Sequence, residues 1–225
     1  MKTTYSAILF DLDGTLLDTL DDLYAAVNFV LQKHGLPLRS RDEVRAFIGN
    51  GIVKLMERSV GAGARSRVDM TAVVEDFKAY YGTHCQEKTK PYDGVLALLS
   101  QLKADVRRVG VVSNKAHFAV EKLCSAYFGD LVDVAIGENE ASGVRKKPAP
   151  DTLLEALRRL GAEKENAVYV GDSEVDIQTA ENAGVECISV SWGMKDSAFL
   201  TENGAETIVE CVGDLGELLM AIPTR

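Results

Sequence analysis

The sequence has 225 residues, of which 46% are hydrophobic and 26% charged, the composition of an ordinary globular protein. It has 25 lysines and arginines against 34 aspartates and glutamates, so its formal net charge is −9. A negatively charged chain repels nucleic acid and anionic lipid, and we expect neither as a partner. No stretch approaches the ~18 unbroken apolar residues of a membrane span, and the N-terminus does not resemble a signal peptide. We therefore expect a cytoplasmic protein.

The first predicted elements are one buried strand and then a series of helices. The apolar run at 7–10 stops at Asp11 and is typical of a strand buried on both faces of a parallel sheet. Apolar residues then recur every three or four positions over 20–31, which indicates a helix that ends near Gly35. Further helical stretches follow near 40–47, 52–60 and 67–82. With no convincing strand between 17 and 88, this block is long enough to form its own small bundle.

From Pro91 onward, strands and helices alternate. The predicted strands lie at 109–112, 132–136, 168–170, 185–190 and 207–209. The predicted helices lie near 94–103, 116–127, 151–160, 174–182 and 213–221. This alternation is typical of a doubly wound α/β fold, with a parallel sheet covered by helices on both faces. We predict an α/β domain of residues 1–16 and 90–225, with a helical domain of residues 17–89 inserted after its first strand.

Polar side chains follow the predicted strands, at the edge of the sheet where open α/β proteins bind ligands. The candidates are Asp11, Asp13 and Thr15 after the first strand, Ser113, Asn114 and Lys115 after the second, Lys147 before the helix at 151, and Asp172 and Asp176 after the fourth strand. Clustered carboxylates repel one another unless a cation lies among them, and oxygen ligands favour Mg²⁺ over Zn²⁺. A lysine and a hydroxyl group beside such a cation suit a phosphoryl group.

Two aspartates separated by one residue can divide the chemistry of phosphoryl transfer. One carboxylate can attack phosphorus and form an aspartyl-phosphate. A second carboxylate two residues on can point the same way, protonate the leaving oxygen and then activate water. Asp11 and Asp13 fit this pair.

These residues resemble the motifs of the haloacid dehalogenase superfamily of phosphatases. DLDGT at 11–15 is similar to the family's DxDxT motif, and GDSEVD at 171–176 is similar to its GDSxxD motif. Ser113 matches the hydroxyl residue that ends a strand, and Lys147 in KKPAPD matches the lysine before a loop and helix. The motifs occur in the family's order and span nearly the whole chain. The dehalogenase branch lacks the metal and the counterpart of Asp13, so dehalogenation is not expected.

The resemblance implies a role for each matched residue. Asp11 is the nucleophile and a metal ligand, and Asp13 is the general acid/base and binds the metal through its backbone carbonyl. Ser113 donates to the phosphoryl oxygens, and Lys147 neutralises them. The resemblance also implies Mg²⁺ binding by Asp172, with Asp176 as a direct ligand or one step removed, and support of the loop by Thr15. We take Thr15 and Asn114 as candidate substrate-binding residues.

The helical block resembles the cap domain of the same family, which closes over the site and selects the substrate. Residues 44–61 are similar to a stretch of bacterial phosphoglycolate phosphatases in which an arginine and a Gly-x-Gly loop face the active site. The matches are Arg45, Gly49, Asn50 and Gly51. A guanidinium can hold a substrate carboxylate through two hydrogen bonds, and a glycine loop can offer backbone N–H groups. The resemblance therefore implies 2-phosphoglycolate as the substrate.

We expect a Mg²⁺-dependent phosphatase, a monomer or homodimer, that acts on a small phosphorylated metabolite. The enzyme alternatives are a mutase of the β-phosphoglucomutase type and a pyrophosphatase or nucleotidase of the same superfamily. The non-enzyme alternative is a regulatory protein that binds phosphorylated ligands, although such a protein has no need of the acid/base Asp13. Two positions stay open: Arg45 is also compatible with a solvated surface arginine, and Lys115 with either the phosphate or solvent.

Overall fold

The structure, a computed structural model, describes residues 5–139 and 143–220. Within these ranges, no helix combines the length and the apolar character needed to cross a membrane. The chain forms two compact units. One unit takes the chain up to Leu17 and from Pro91 onward, and the other is Asp18–Lys90. These limits differ by one residue at each crossing from the predicted domain boundaries.

The first unit is built on a six-stranded sheet in which every neighbouring pair of strands is parallel, as the alternation of strands and helices predicts. In chain order the strands are β1 (Ala7–Phe10), β2 (Leu17–Asp18), β3 (Lys90–Pro91), β4 (Arg108–Ala116), β5 (Val134–Glu138), β6 (Ala167–Gly171), β7 (Glu186–Val190) and β8 (Ile208–Val209). The large sheet has the order β5-β4-β1-β6-β7-β8, while β2 and β3 form a separate two-stranded sheet. Phe10 of β1 lies opposite Val111 and Val170, so the carboxyl ends of the three central strands meet.

Helices pack against this sheet through their apolar faces. They are α5 (Val95–Ala104), α6 (His117–Tyr127), α7 (Asp151–Leu160), α8 (Glu174–Ala183) and α10 (Val212–Met220), and the same unit contains the short helix α9 (Ser197–Glu202). On α7 the apolar side chains recur every three or four residues, and Leu153 and Leu157 pack with Leu9 and Val112 of the sheet. This buried layer fixes the strands whose ends carry the polar candidates.

The second unit contains four α-helices, all of which the sequence predicts. They are α1 (Leu20–Lys33), α2 (Arg41–Phe47), α3 (Gly51–Val60) and α4 (Met70–His84). α2 begins at a reciprocal cap in which Glu43 N donates to Ser40 Oγ and Ser40 N donates to Glu43 Oε2. Val27 and Phe77 are fully buried and belong to the apolar core of this unit.

Several elements differ from the sequence predictions. The six-residue helix α9 was not predicted, because fewer than two helical turns leave no clear periodicity. β2 begins inside the segment predicted to lack strands, since two residues leave no alternating pattern. β4 continues past its predicted end at 112 as far as Ala116, and its pairing with β5 shifts on the way. β5 begins two residues later than predicted, at Val134.

Candidate active site

The loop after β1 is a tight turn that needs a glycine. Gly14 N donates to Leu17 O at 2.9 Å, and Leu17 N donates to Leu12 O at 2.9 Å. Gly14 has φ +88°, and a Cβ atom there would lie 2.1 Å from Asp172 Oδ2. The glycine in DLDGT therefore lets the loop after β1 approach the carboxylate that follows β6.

Three buried carboxylates converge beside this loop. Asp11, Asp172 and Asp176 each place an oxygen within 4.8 Å of an oxygen of the other two. Burial raises the pKa of Asp11 to about 7, although the Lys147 ammonium acts in the opposite direction. Burial, and then the charge of Asp11, raise the pKa of Asp172 well above its usual range. Burial, together with the neighbouring carboxylates, therefore disfavours the ionised forms of Asp11 and Asp172.

The donor chemistry of this cluster fits a divalent cation. Its three potential ligands are all carboxylate oxygens, the type that hard cations such as Mg²⁺ prefer. Asp172 is fixed by a 2.6 Å hydrogen bond that its Oδ2 accepts from Met194 N. Asp176 is held more tightly, since its Oδ2 accepts hydrogen bonds from both the backbone N and the Oγ of Ser173.

Lys147 is the cation that faces the carboxylates. Its Nζ lies 2.9 Å from Asp11 Oδ1 and 2.7 Å from Asp176 Oδ1. The side chain is 3% exposed. Burial alone would lower the pKa of Lys147, but the charges of Asp11 and Asp176 outweigh it and raise the pKa, so the ammonium stays charged.

Two residues around Lys147 have roles that sequence reasoning missed. Tyr169 Oη accepts a hydrogen bond from Lys147 Nζ at 2.9 Å and donates to Asp176 Oδ1, also at 2.9 Å. Asn114 Nδ2 donates to Lys147 O, and Asn114 Oδ1 accepts from Lys147 N. Asn114 was predicted to bind substrate; the structure gives its amide a positioning role on the Lys147 backbone, and a substrate contact stays a prediction.

Asp13 lies against a second buried lysine. Lys115 Nζ contacts both oxygens of the Asp13 carboxylate, at 2.8 and 3.0 Å. This settles the position of Lys115, which the sequence left open between the phosphate and solvent. Ser113, which is also buried, accepts a 3.3 Å hydrogen bond from Lys115 N on its Oγ. The alternation of side chains along an extended segment was the available signal, because it places residues 113 and 115 on one face.

Thr15 supports the site as part of the loop. It is buried, and its Oγ1 lies 3.5 Å from Asp172 Oδ1, at the outer limit of a hydrogen bond. Its backbone oxygen accepts a 3.1 Å hydrogen bond from Trp192 Nε1. Contact between Thr15 and substrate stays a prediction.

The candidates in the helical unit lie on α2 and on the turn that follows it. Arg45 is an exposed residue of α2, Gly49 and Asn50 lie between α2 and α3, and Gly51 is the first residue of α3. Arg58 braces this turn, since its Nη1 donates to Phe47 O at 2.8 Å and its Nη2 donates to Asn50 Oδ1 at 2.5 Å. The predicted substrate contacts of Arg45 and of the Gly49–Asn50–Gly51 turn stay predictions.

Comparison with known proteins gives a consistent result. The model of a family described as haloacid dehalogenase-like hydrolase matches residues 8–190. A phosphoglycolate phosphatase from Nitrosococcus oceani is 30% identical over 94% of this chain and 95% of that protein. A solved structure from Lactobacillus delbrueckii subsp. bulgaricus, provisionally assigned as a phosphoglycolate phosphatase, is 35% identical with a TM-score of 0.89, covering 96% of this chain and 99% of that one. A variant of CbbY from Rhodobacter sphaeroides in complex with xylulose-(1,5)bisphosphate is 25% identical with a TM-score of 0.73, covering 92% and 94%.

Proposed function

Because this chain belongs to the haloacid dehalogenase-like hydrolase family and is a phosphatase, we propose that it hydrolyses 2-phosphoglycolate through an aspartyl-phosphate on Asp11 with the help of Mg²⁺. The observation that carries this proposal is the pairing of two carboxylates with two buried lysines. Asp11 lies against Lys147, and Asp13, two residues on, lies against Lys115. A nucleophile and an acid/base group on one turn, each beside its own cation, suit phosphoryl transfer.

The residues of the α/β unit supply the steps of the reaction. An oxygen of Asp11 attacks phosphorus, while Lys147 and Ser113 stabilise the negative phosphoryl oxygens. Asp13 protonates the leaving oxygen and then takes a proton from the water that attacks the aspartyl-phosphate. A divalent cation bound by Asp11, Asp172 and Asp176 would supply positive charge that offsets the repulsion between Asp11 and the phosphate dianion.

The choice of 2-phosphoglycolate rests on relatives and on the helical unit. Several curated relatives carry that activity in their names, at 30–34% identity. Arg45 offers a guanidinium for the substrate carboxylate, and the turn held by Arg58 offers backbone N–H groups. A sugar phosphate is the second candidate, because the CbbY variant that shares this fold is in complex with a sugar bisphosphate.

The experiment measures phosphate release from a panel of phosphate esters, in chelator and with added Mg²⁺. The chain, stripped with excess chelator, should release no phosphate, and added Mg²⁺ should restore turnover. We expect kcat/KM to be higher for 2-phosphoglycolate than for xylulose 1,5-bisphosphate or for an aryl phosphate. Full activity in chelator would contradict the metal requirement. A higher kcat/KM for the sugar bisphosphate would contradict 2-phosphoglycolate as the substrate, but it would leave the proposed hydrolysis through an aspartyl-phosphate standing. Release of inorganic phosphate, as opposed to its return to a sugar, separates a hydrolase from a mutase.

A further inference from the structure

Lys115 is a buried lysine that lies against Asp13 and has no step of its own in the reaction described above. Both oxygens of the Asp13 carboxylate are within hydrogen-bond distance of Lys115 Nζ. The side chain of Lys115 is 4% exposed and that of Asp13 is 14% exposed. We propose that Lys115 is a positioning residue, which holds the Asp13 carboxylate where it exchanges protons with the leaving oxygen and with water. This inference rests on the acid/base role proposed above for Asp13.

The fold brings the two side chains together through the end of β4. β1 and β4 are neighbours in the sheet, with Phe10 opposite Val111, so the segments that follow these residues run beside each other. β4 extends to Ala116 with a shift of its pairing, and this irregular end carries Lys115 to the turn that contains Asp13. Lys115 N also donates to Ser113 Oγ, which fixes the backbone that carries the ammonium.

The two lysines divide the two working carboxylates between them. Lys147 contacts Asp11, the residue proposed to attack the phosphoryl group. Lys115 contacts both oxygens of Asp13 at once. An ammonium that bridges both oxygens restricts rotation of the carboxylate. Since proton transfer needs the donor oxygen within hydrogen-bond reach of its target, a small rotation of Asp13 is enough to slow the reaction.

Asp13 transfers one proton in each of the two steps. In the first step the P–O bond to the leaving group breaks as the bond from Asp11 to phosphorus forms, and neutral Asp13 gives its proton to the leaving oxygen. Before this step the unprotonated oxygen of Asp13 can accept a hydrogen bond from Lys115 Nζ, and after it both oxygens can, so the contact can hold the side chain in both steps. In the second step, water forms a bond to phosphorus, the bond from Asp11 breaks, and Asp13 takes the proton of that water.

A double-mutant cycle tests whether Lys115 acts through Asp13. Lys115→Met and Asp13→Asn are made singly and together, and kcat and KM are measured for an alkyl and an aryl phosphate. Lys115→Met should lower kcat for the alkyl ester at least about tenfold, with KM changed less than about threefold. The aryl ester should lose less, because its leaving group needs little protonation. In the Asp13→Asn background, Lys115→Met should change kcat less than about threefold.

Lys103→Met is the matched control, because Lys103 pairs with Asp133 elsewhere in the same unit. It should leave kcat and KM for both esters unchanged. If Lys115→Met costs as much in the Asp13→Asn background as in the native one, Lys115 acts without Asp13 and the proposal is overturned. Equal losses on the alkyl and aryl esters, together with a lower Tm, would also overturn it, because they indicate support of the fold alone.

A crystal structure gives a readout that does not depend on turnover. In Lys115→Met, or in Lys115→Gln if the first variant does not fold, the Asp13 carboxylate should leave its native orientation or occupy more than one. An unchanged, single conformer of Asp13 would contradict the proposal. If Asp13→Asn instead leaves turnover of the alkyl ester unaffected, the proposed acid/base role fails, and the crystal structure still decides whether Lys115 positions this side chain.

Discussion

The α/β unit and the helical unit hold their candidate residues in different ways. In the α/β unit, Asp11, Lys147 and Asp172 are at most 7% exposed, and each is held by ion pairs or hydrogen bonds. In the helical unit, Arg45 is exposed on α2, and the turn after α2 is half-buried and braced by Arg58. A buried polar group must be satisfied in one particular arrangement, whereas an exposed arginine can be exchanged at little energetic cost.

This contrast suggests a division of labour between the two units. The α/β unit carries a fixed set of groups suited to phosphoryl transfer, whatever ester is attached. The helical unit carries groups that can change without disturbing a core, and in the proposed function these groups choose among esters. Removing a group from the first set should therefore affect every substrate, while removing Arg45 should affect only some.

The largest effect is expected from loss of the nucleophile. Asp11→Asn should lower phosphate release from every ester at least about 10⁴-fold, because the amide does not form the acyl-phosphate. The Tm should not fall, since the change removes one charge from a crowded carboxylate cluster. Turnover within tenfold of the native rate, measured as released phosphate, would contradict covalent catalysis by Asp11.

Loss of Lys147 should lower the stability of the fold as well as the rate of the reaction. Lys147→Met leaves Asp11 and Asp176 without their ammonium partner, and breaking a buried pair costs ~3–5 kcal/mol. Its neighbour provides a matched control, because Lys146 forms a partly exposed pair with Glu138, worth ~0–1 kcal/mol. Urea unfolding in chelator measures both. Equal, small losses in the free energy of unfolding of the two variants would mean that the buried pair contributes no more to stability than the partly exposed one.

The pH dependence of stability should report the crowded carboxylates. Burial raises the pKa of Asp11 from 3.8 to about 7, so between these values the folded protein binds a proton that the unfolded chain does not. The stability of the metal-free protein should therefore fall as pH rises through this window, by up to about 1.4 kcal/mol per pH unit from this group.

The difference between the native protein and Asp11→Asn isolates this contribution from those of other titrating groups. Urea unfolding in chelator at pH 5 and at pH 7.5 should give a steeper loss of stability for the native protein. Parallel slopes for the two proteins would show that Asp11 titrates normally. Added Mg²⁺ should flatten the native slope, because a cation stabilises the ionised cluster.

The smallest expected effect, from loss of Arg45, tests the proposed difference between the two units. Arg45→Ala should lower kcat/KM for 2-phosphoglycolate at least tenfold, or ~1.4 kcal/mol, and should barely change that of an aryl phosphate without a carboxylate. Arg41→Ala is the control on the same helix, because Arg41 forms an exposed pair with Asp21. Parallel loss on both esters would mean that Arg45 supports the helical unit, and no loss on either would mean that it faces solvent.

The sequence predicts the parts of the fold that repeat and misses several short elements, although it does predict the two-residue strand β8. Apolar periodicity over two or more turns predicts the helices of the second unit, and buried runs predict the parallel sheet. The six residues of α9 and the two-residue strands β2 and β3 leave no such pattern. β4 runs past its predicted end because the polar residues Ser113, Asn114 and Lys115 interrupt the apolar run without ending the strand.

The same distinction holds for the candidate site. Asp11, Asp172 and Lys147 follow or precede elements that the pattern places at one edge of the sheet, and they do converge there. Tyr169 lies within an apolar strand and gives no sign of its contact with Lys147, apart from the general need of a buried hydroxyl for a partner. The contact between Lys115 and Asp13 joins residues far apart in the chain, and sequence order alone does not determine it.

Trapping the phosphorylated protein tests the central proposal most directly. The native chain and its Asp13→Asn variant are mixed with 2-phosphoglycolate and Mg²⁺, quenched in acid within one turnover, and digested for mass spectrometry. Covalent catalysis predicts a phosphoryl group on Asp11, at a higher level in Asp13→Asn because hydrolysis of the intermediate is slowed, and none in Asp11→Asn. Continued release of phosphate with no phosphoryl group on Asp11 at any time point would contradict it.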